Sequence, residues 1–174
     1  LARTWGGEAG PPAAWADLGA DIPVCLVNRP SLVEGMGERV TLVPCLPDLP
    51  TVLVNPGIAT STAAVFAGIE GRYGQPVADP LPPPGASVSA LATWLATQRN
   101  DLTRPAIATT APIGEVLAAL AGAPGVLLSR MSGSGATCFG LFPTEAAAAS
   151  AGQWLRQRAP HWWIRECLLR TPTG

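Results

Sequence analysis

MSGSGATCFG, from Met131 to Gly140, is glycine-rich and lies between two strand-like apolar runs. Glycines let backbone N–H groups approach a ligand closely, and successive N–H groups form a nest for an anion. A tight turn over packed small residues has the same composition, and the run is neither a P-loop with its lysine nor GxGxxG. Asp21 stands between an apparent helix end and an apolar run. A carboxylate at such an edge accepts a proton from a substrate hydroxyl, although capping or facing water is its commoner use. Thr62 and Phe66, four apart after Asn55-Pro56-Gly57, present a hydroxyl and a ring on one face of a short helix. From the residues alone, ordinary packing is the stronger reading of that pair. Asn100-Asp101-Leu102 precedes a helical stretch, and Asp101 is expected to cap it. His161, Trp162 and Trp163 open the last apolar run. With no basic patch around them they read as core and rim residues, not a base-stacking platform.

The elements that must position these residues are read from pattern and punctuation. Pro11 to Leu18 predicts a helix stopping near Gly19, and Ile22–Val27 (IPVCLV) reads as a buried strand. SLVEGMGERVTLV predicts a hairpin or tight loop about EGMGE. TVLVNPG reads as another buried strand ending at a turn, and STAAVFAGI as a short helix capped by Ser61. GRYGQPVADPLPPP, residues 71–84, is a loop. Two or three helices interrupted at Pro112 follow, then strand, glycine turn and strand. A helix capped by Thr144 and an apolar strand, WWIRECLLR, close the chain. The order is α+β, with helices packed on one face of a mostly antiparallel sheet.

Composition bounds the function classes. Hydrophobic residues make up 48% and charged residues 13% of the 174, enough apolar material for a sizeable core. A formal net charge of -1 gives no electrostatic reason to expect nucleic acid or an anionic membrane as partner. All 11 cationic side chains are arginine, and lysine is absent. Cys25, Cys45, Cys138 and Cys167 form no CxxC pair and have no histidine cluster near them, His161 being the only histidine, so buried free thiols in a reducing cytosol are expected and a zinc site is not. The apolar stretch from Ile113 to Leu128 is broken by Glu115 and Pro124-Gly125, which is not a membrane span.

LGADIPVCL (Leu18–Leu26), EGMGE (Glu34–Glu38), NPGIATSTAAVF (Asn55–Phe66), NDL (Asn100–Leu102) and RMSGSGATCFGLF (Arg130–Phe142) occur in one order. In that order they resemble the 4-diphosphocytidyl-2-C-methyl-D-erythritol kinases of the GHMP superfamily, along essentially the whole chain. The SGSGAT run resembles the superfamily's third motif, and the ADIP and EGMGE pair points to this member. The resemblance implies a GHMP-type two-layer fold. Residues 1–45 would be a remnant of an incomplete amino-terminal domain carrying the catalytic Asp, and 46–174 the carboxy-terminal, substrate-side domain. It implies a cytoplasmic enzyme of isoprenoid-precursor synthesis that transfers a phosphoryl group from ATP, with Mg²⁺ assisting, to the substrate's 2-hydroxyl. Its partners would be the cytidine diphosphate-linked methylerythritol and ATP, with no nucleic acid, membrane or resident protein-bound metal. By position in Gly-Ala-Asp-x-Pro, Asp21 falls on the catalytic aspartate. Thr62 and Phe66 fall on the substrate-contacting Thr and Phe, and Gly133, Ser134, Gly135 and Ala136 on the third-motif loop.

One departure is large. Members of the family carry an amino-terminal lysine beside the aspartate and a PxxxGLGGGSSDA loop around the ATP phosphates, and neither is in this sequence. LARTWG resembles the helix that follows that loop, so the chain is expected to begin just downstream of it and to be inactive alone. The alternatives are another GHMP kinase, against which EGMGE and NPG argue, or a non-catalytic α+β ligand-binding domain.

Overall fold

The computed structural model describes residues 21–35, 37, 39–43, 46–69 and 83–170. The helix expected at 11–18, Cys45 and nearly all of the 71–84 loop lie outside them. The chain divides into two compact units, Leu1–Leu46 with Thr171–Gly174, and Pro47–Arg170.

In the first unit, helix α1 (Ile22–Val27) is followed by strands β1 (Ser31–Glu34) and β2 (Arg39–Leu42), which pair antiparallel from Ser31↔Leu42 to Glu34↔Arg39. The hairpin expected about EGMGE is present. Its loop holds Gly35 at φ 71 and Gly37 at φ 107, a left-handed backbone that favours glycine. The strand expected over Ile22–Val27 is instead the helix α1. Proline falls in its first turn, where the missing N–H costs nothing, whereas in a strand it would remove a ladder bond. Asn28 closes α1 in the left-handed conformation, its N–H donating to the Val24 carbonyl.

The second unit is built on a four-stranded antiparallel sheet in the order β4-β5-β3-β6, with β3 Leu49–Asn55, β4 Leu128–Met131, β5 Cys138–Leu141 and β6 Trp163–Leu169. Its helices are α2 (Thr62–Ala67), α3 (Val88–Thr97), α4 (Thr103–Thr109), α5 (Pro112–Ala121) and α6 (Glu145–Arg158). The interruption at Pro112 is real: proline opens α5 in the first turn, where it is tolerated. Ser61 and Thr144 cap α2 and α6 as expected, each hydroxyl oxygen accepting a bond from a backbone N–H three residues on. On one face of the sheet, Val52, Val54, Met131, Cys138 and Ile164 meet Val65 of α2, Ala106 of α4, Val116 and Leu120 of α5, and Ala151 and Leu155 of α6 in one core. Each fully buried branched side chain contributes about 1.5–3 kcal/mol there. On the reverse face, among the described residues, α3 supplies a smaller cluster, Ala92 and Leu95 against Leu128, Phe139 and Leu141.

Helix α6 lies so close to β6 that Gly152 has no room for a side chain. A Cβ there would stand 1.8 Å from Glu166 Oε1. Glu166 occupies that space because Arg156, one turn further along α6, donates to both its oxygens at 3.1 and 2.6 Å. Those bonds hold the Glu166 carboxyl below the usual glutamate range. A depressed carboxylate stabilises the fold above its unfolded pKa, about 4.3, and the contribution is lost as pH falls through the lower folded value. The pair is partly exposed, so its worth is about 0.5–1 kcal/mol. Gly152→Ala should therefore destabilise the native chain by about 1–2 kcal/mol despite alanine's helix preference. In a Glu166→Ala background the same change should stabilise. Equal effects in both backgrounds, measured by denaturant unfolding at pH 7, would show that Glu166 does not set the glycine requirement.

Candidate functional site

Strand β3 ends at Asn55, and the turn that follows is set by this residue's side chain. Asn55 Oδ1 accepts from the Gly57 N–H at 2.8 Å, and Gly57 has φ 76. Asn55 Nδ2 donates to Thr137 Oγ1 at 2.9 Å, tying this turn to the exit of the glycine loop. The chain then enters α2, capped by Ser61, with Thr62 at its first position and Phe66 one turn along. Phe66 is 49% exposed. A neighbouring hydroxyl pair, Thr60 and Thr110, stands 3.3 Å apart with Thr110 buried.

The glycine loop connects β4 to β5. Gly133 has φ 54 and Gly135 φ 88, and the Gly135–Ala136 peptide is cis. Within the loop, the Ser132 N–H donates to the Thr137 carbonyl and the Gly135 N–H to the Ser132 carbonyl, both at 2.9 Å. The two glycines differ in surroundings. A Cβ on Gly133 would meet nothing within 4 Å. One on Gly135 would stand 2.9 Å from Ile113 Cδ1 of α5 and 3.0 Å from Met131 Sδ. Ala136 is buried beside them. Thr62 Oγ1 and Ser134 Oγ are 3.0 Å apart, so the loop and the start of α2 form one polar surface. The structure thus brings together Thr62, Gly133, Ser134, Gly135 and Ala136, with Phe66 on the adjoining turn of α2.

Two residues that matter here were not singled out from the sequence. Besides Asn55, Asn100 donates from Nδ2 to the carbonyls of Met131 and Gly133 at 3.2 and 2.9 Å, and its Oδ1 accepts from the Leu102 N–H at 3.1 Å. Asp101, the expected cap, does not cap α4: the helix follows Leu102 without a side-chain cap, and Asp101 pairs with Arg99 at 3.1 Å. Asn100 holds this corner instead: its Oδ1 accepts from Leu102 while its Nδ2 supplies the donors that the two loop carbonyls need, which a carboxylate could not. The signal was present in NPG and NDL, each an asparagine at a turn.

Beside the base of the loop a cavity of about 450 Å³ opens between α5 and the edge strand β4, lined by Asn100, Thr103, Leu117, Ala118, Ser129 and Met131 among others. Arg130 on that strand donates to the Gln98 carbonyl, and burial lowers its pKa. Burial also pushes the Cys138 thiol up to about 12, an inert core thiol. The expectation of buried cysteines holds for Cys138 but not for Cys25, which is exposed on the short helix α1. Trp162 packs against the core and Trp163 is 46% exposed, the core-and-rim split expected of them.

Asp21 belongs to the other unit. It precedes α1, its carbonyl accepting from the Cys25 N–H at 3.1 Å, and its exposed carboxylate does not cap the helix. Among the described residues no three His, Cys, Asp or Glu side chains converge to hold a metal ion, so these residues do not by themselves fit a resident Mg²⁺. No helix among them is long and apolar enough to cross a membrane.

Comparison with known proteins gives this geometry a setting. Residues 86–161 match the family described as GHMP kinases C terminal. The 4-diphosphocytidyl-2-C-methyl-D-erythritol kinase of Dinoroseobacter shibae is 51% identical over 156 residues, covering 89% of this chain and 54% of that protein. The Cereibacter sphaeroides protein of the same name is 48% identical over 94% of this chain and 59% of its own length. The chain therefore spans somewhat over half the length of the curated relatives it matches. A crystal structure of 4-(cytidine 5'-diphospho)-2C-methyl-D-erythritol kinase superposes with a TM-score of 0.68 at 26% identity, over 98% of this chain and 61% of that one. Homoserine kinase from Cytophaga hutchinsonii superposes at 0.62 with 18% identity, over the same 98% and 61%, a likeness of fold alone. The α+β fold with an antiparallel sheet is that of GHMP kinases.

The loop's two glycines should respond differently to alanine. Gly135→Ala combines left-handed strain with a clash against Ile113 and Met131, and should cost about 2–3 kcal/mol. Gly133→Ala meets open space, so strain alone should cost about 1 kcal/mol. Equal unfolding free energies for the two variants would mean that the approach of α5 does not constrain the loop.

Proposed function

We propose, from the premise that residues 86–161 belong to the GHMP kinase carboxy-terminal family, that this chain is the carboxy-terminal part of an ATP-dependent kinase. Its substrate would be 4-diphosphocytidyl-2-C-methyl-D-erythritol, phosphorylated on the 2-hydroxyl. The observation that carries the reading is 51% identity to a protein of that name across 89% of the chain. Supporting it, the motif residues Thr62 and Ser134 stand side by side, and the third-motif loop is an ordered, positive-φ turn.

In this reading the substrate oxygen forms a bond to the γ-phosphorus of ATP as the bond from that phosphorus to the ADP oxygen breaks. The hydroxyl proton passes to the Asp21 carboxylate and from there to water. Thr62 and Phe66 hold the substrate, the first by its hydroxyl and the second by its exposed ring. Residues Gly133 to Ala136 shape the substrate and phosphate region. Mg²⁺, carried with ATP, would neutralise phosphate charge. The described residues offer no cluster for it. The soluble, cytoplasmic setting expected from the resemblance belongs to the same proposal.

The test uses the chain with its upstream segment restored. ATP should be consumed only with the cytidine diphosphate-linked substrate, yielding its 2-phosphate. Asp21→Asn should remove most of the rate, a loss of about 10²–10⁴ in kcat, with KM little changed. The 174-residue chain alone, without lysine or a nucleotide loop, should bind ATP–Mg²⁺ weakly and turn over nothing. Near-normal turnover by Asp21→Asn would remove that residue from the mechanism. Turnover by the short chain would show that the upstream segment is dispensable.

A further inference from the structure

We infer that Asn100 is the positioning residue of the glycine loop, fixing the direction in which the loop presents its free backbone donor, the Ser134 N–H. The consequence for catalysis rests on the kinase reading, while the structural claim stands on the geometry alone.

Three bonds determine the Asn100 amide, and the polarity of each partner is unambiguous. The Met131 and Gly133 carbonyls only accept and the Leu102 N–H only donates, so Nδ2 must face the loop and Oδ1 the start of α4. The two carbonyls flank Ser132 at the entry of the loop. In a trans peptide the C=O and the following N–H point in opposite directions. Drawing the Met131 carbonyl toward Asn100 therefore turns the Ser132 N–H away from it, and that N–H does meet the Thr137 carbonyl at 2.9 Å across the loop. By the same rule, holding the Gly133 carbonyl turns the Ser134 N–H away from Asn100. Among the described residues no acceptor is found for it. It is thus an oriented donor suited to an anionic or carbonyl oxygen of a ligand.

Among the described residues no other side chain bonds the Gly133 carbonyl, and the backbone bond from the Gly135 N–H to the Ser132 carbonyl closes the turn across Gly133 and Ser134. Gly133 is exposed, no atom lies within 4 Å of where its Cβ would be, and its φ of 54 is one of several that glycine adopts freely. The far end of the loop is held differently, by Ile113 and Met131 against Gly135 and by Asn55 on Thr137. Thr62 holds the Ser134 side chain, not its backbone. Removing the Asn100 donors leaves the entry held only by the two backbone bonds of Ser132, while the exit stays packed.

Asn100→Asp is the informative substitution. It keeps size and an acceptor for the Leu102 N–H, but puts a carboxylate oxygen against two carbonyls. Asp101→Asn is the control, since it alters the neighbouring side chain, which pairs with Arg99, and leaves the Asn100 amide in place. Hydrogen exchange on the 174-residue chain should show the Ser132 and Gly135 amides about tenfold faster or more in Asn100→Asp, with the amides of β3 and β5 unchanged and the control like wild type. In the chain with its upstream segment restored, kcat should fall about tenfold or more while the KM for ATP moves less than about threefold. Should the carboxylate unfold the protein, Asn100→Ala removes the donors without a charge and reads the same two amides. Unchanged loop exchange, or acceleration shared equally by the core strands, would overturn the proposal. Loosened loop amides in Asn100→Asp, together with no phosphorylated product from the wild-type sequence with its upstream segment restored, would support the positioning role and overturn the kinase reading instead.

Discussion

Strand β3 is hydrogen-bonded along both edges, to β5 from Thr51↔Leu141 to Val54↔Cys138 and to β6 from Leu49↔Leu169 to Asn55↔Trp163. Val52 and Val54 are wholly buried, and so is Thr51, whose hydroxyl donates to the Leu49 carbonyl. A slip of one residue would send both valines to the wrong face, so the register is pinned. That pinning fixes where the strand stops. Asn55 lies at its last rung, and from there one amide sets both the turn into α2 and the exit of the glycine loop. The positions of Thr62, Phe66 and Thr137 are thus consequences of where β3 is held.

The glycine loop is accordingly no ordinary surface loop. Gly133 faces open space and Ser134 is half-buried beside Thr62, while Gly135 is pressed under Ile113 and Met131 and Ala136 is buried. The same close approach recurs one strand-pair along, where a Cβ on Gly140 would stand 3.1 Å from Leu120 of α5. Helix α5 therefore sits on a track of glycines, and its distance from the sheet and the shape of the loop are one quantity. A change that lifts α5 disturbs the loop, and a larger residue in the loop lifts α5.

Much of this was legible in the sequence because it is local. The caps at Ser61 and Thr144, the EGMGE hairpin, the break at Pro112 and the strand–glycine–strand run all announce themselves within a few residues. Ile22–Val27 reads as a strand yet folds as a helix, because a short apolar run suits a buried strand and a helix turn equally. The proline at its start was the arbitrating residue. Asp101 drew attention as a cap where Asn100 did the work, since the partners of Asn100 lie 31 and 33 residues away and no local pattern names them. The strand order β4-β5-β3-β6, with α3 on the reverse face, is likewise a matter of long-range contacts.

The disposition of positive charge bears most directly on what such a site requires. Phosphoryl transfer needs charge and oriented donors around the phosphate oxygens, where negative charge must be stabilised in the transition state. This chain has only arginines for the purpose, and several are committed elsewhere. Arg39 lies opposite Glu34, Arg99 pairs with Asp101, Arg130 holds the Gln98 carbonyl, Arg156 grips Glu166, and Arg158 stacks 3.7 Å over the Trp154 ring. What the described residues bring to the glycine loop is neutral: hydroxyls of Thr62, Ser134 and Thr137, amides of Asn55 and Asn100, and backbone N–H groups. Neutral donors orient a ligand and discriminate its shape, but they do not offset the charge of a triphosphate. On the proposed reading this part of the kinase is the recognition half of the site. The cationic half then comes from the nucleotide's own metal and from the remaining length of the protein.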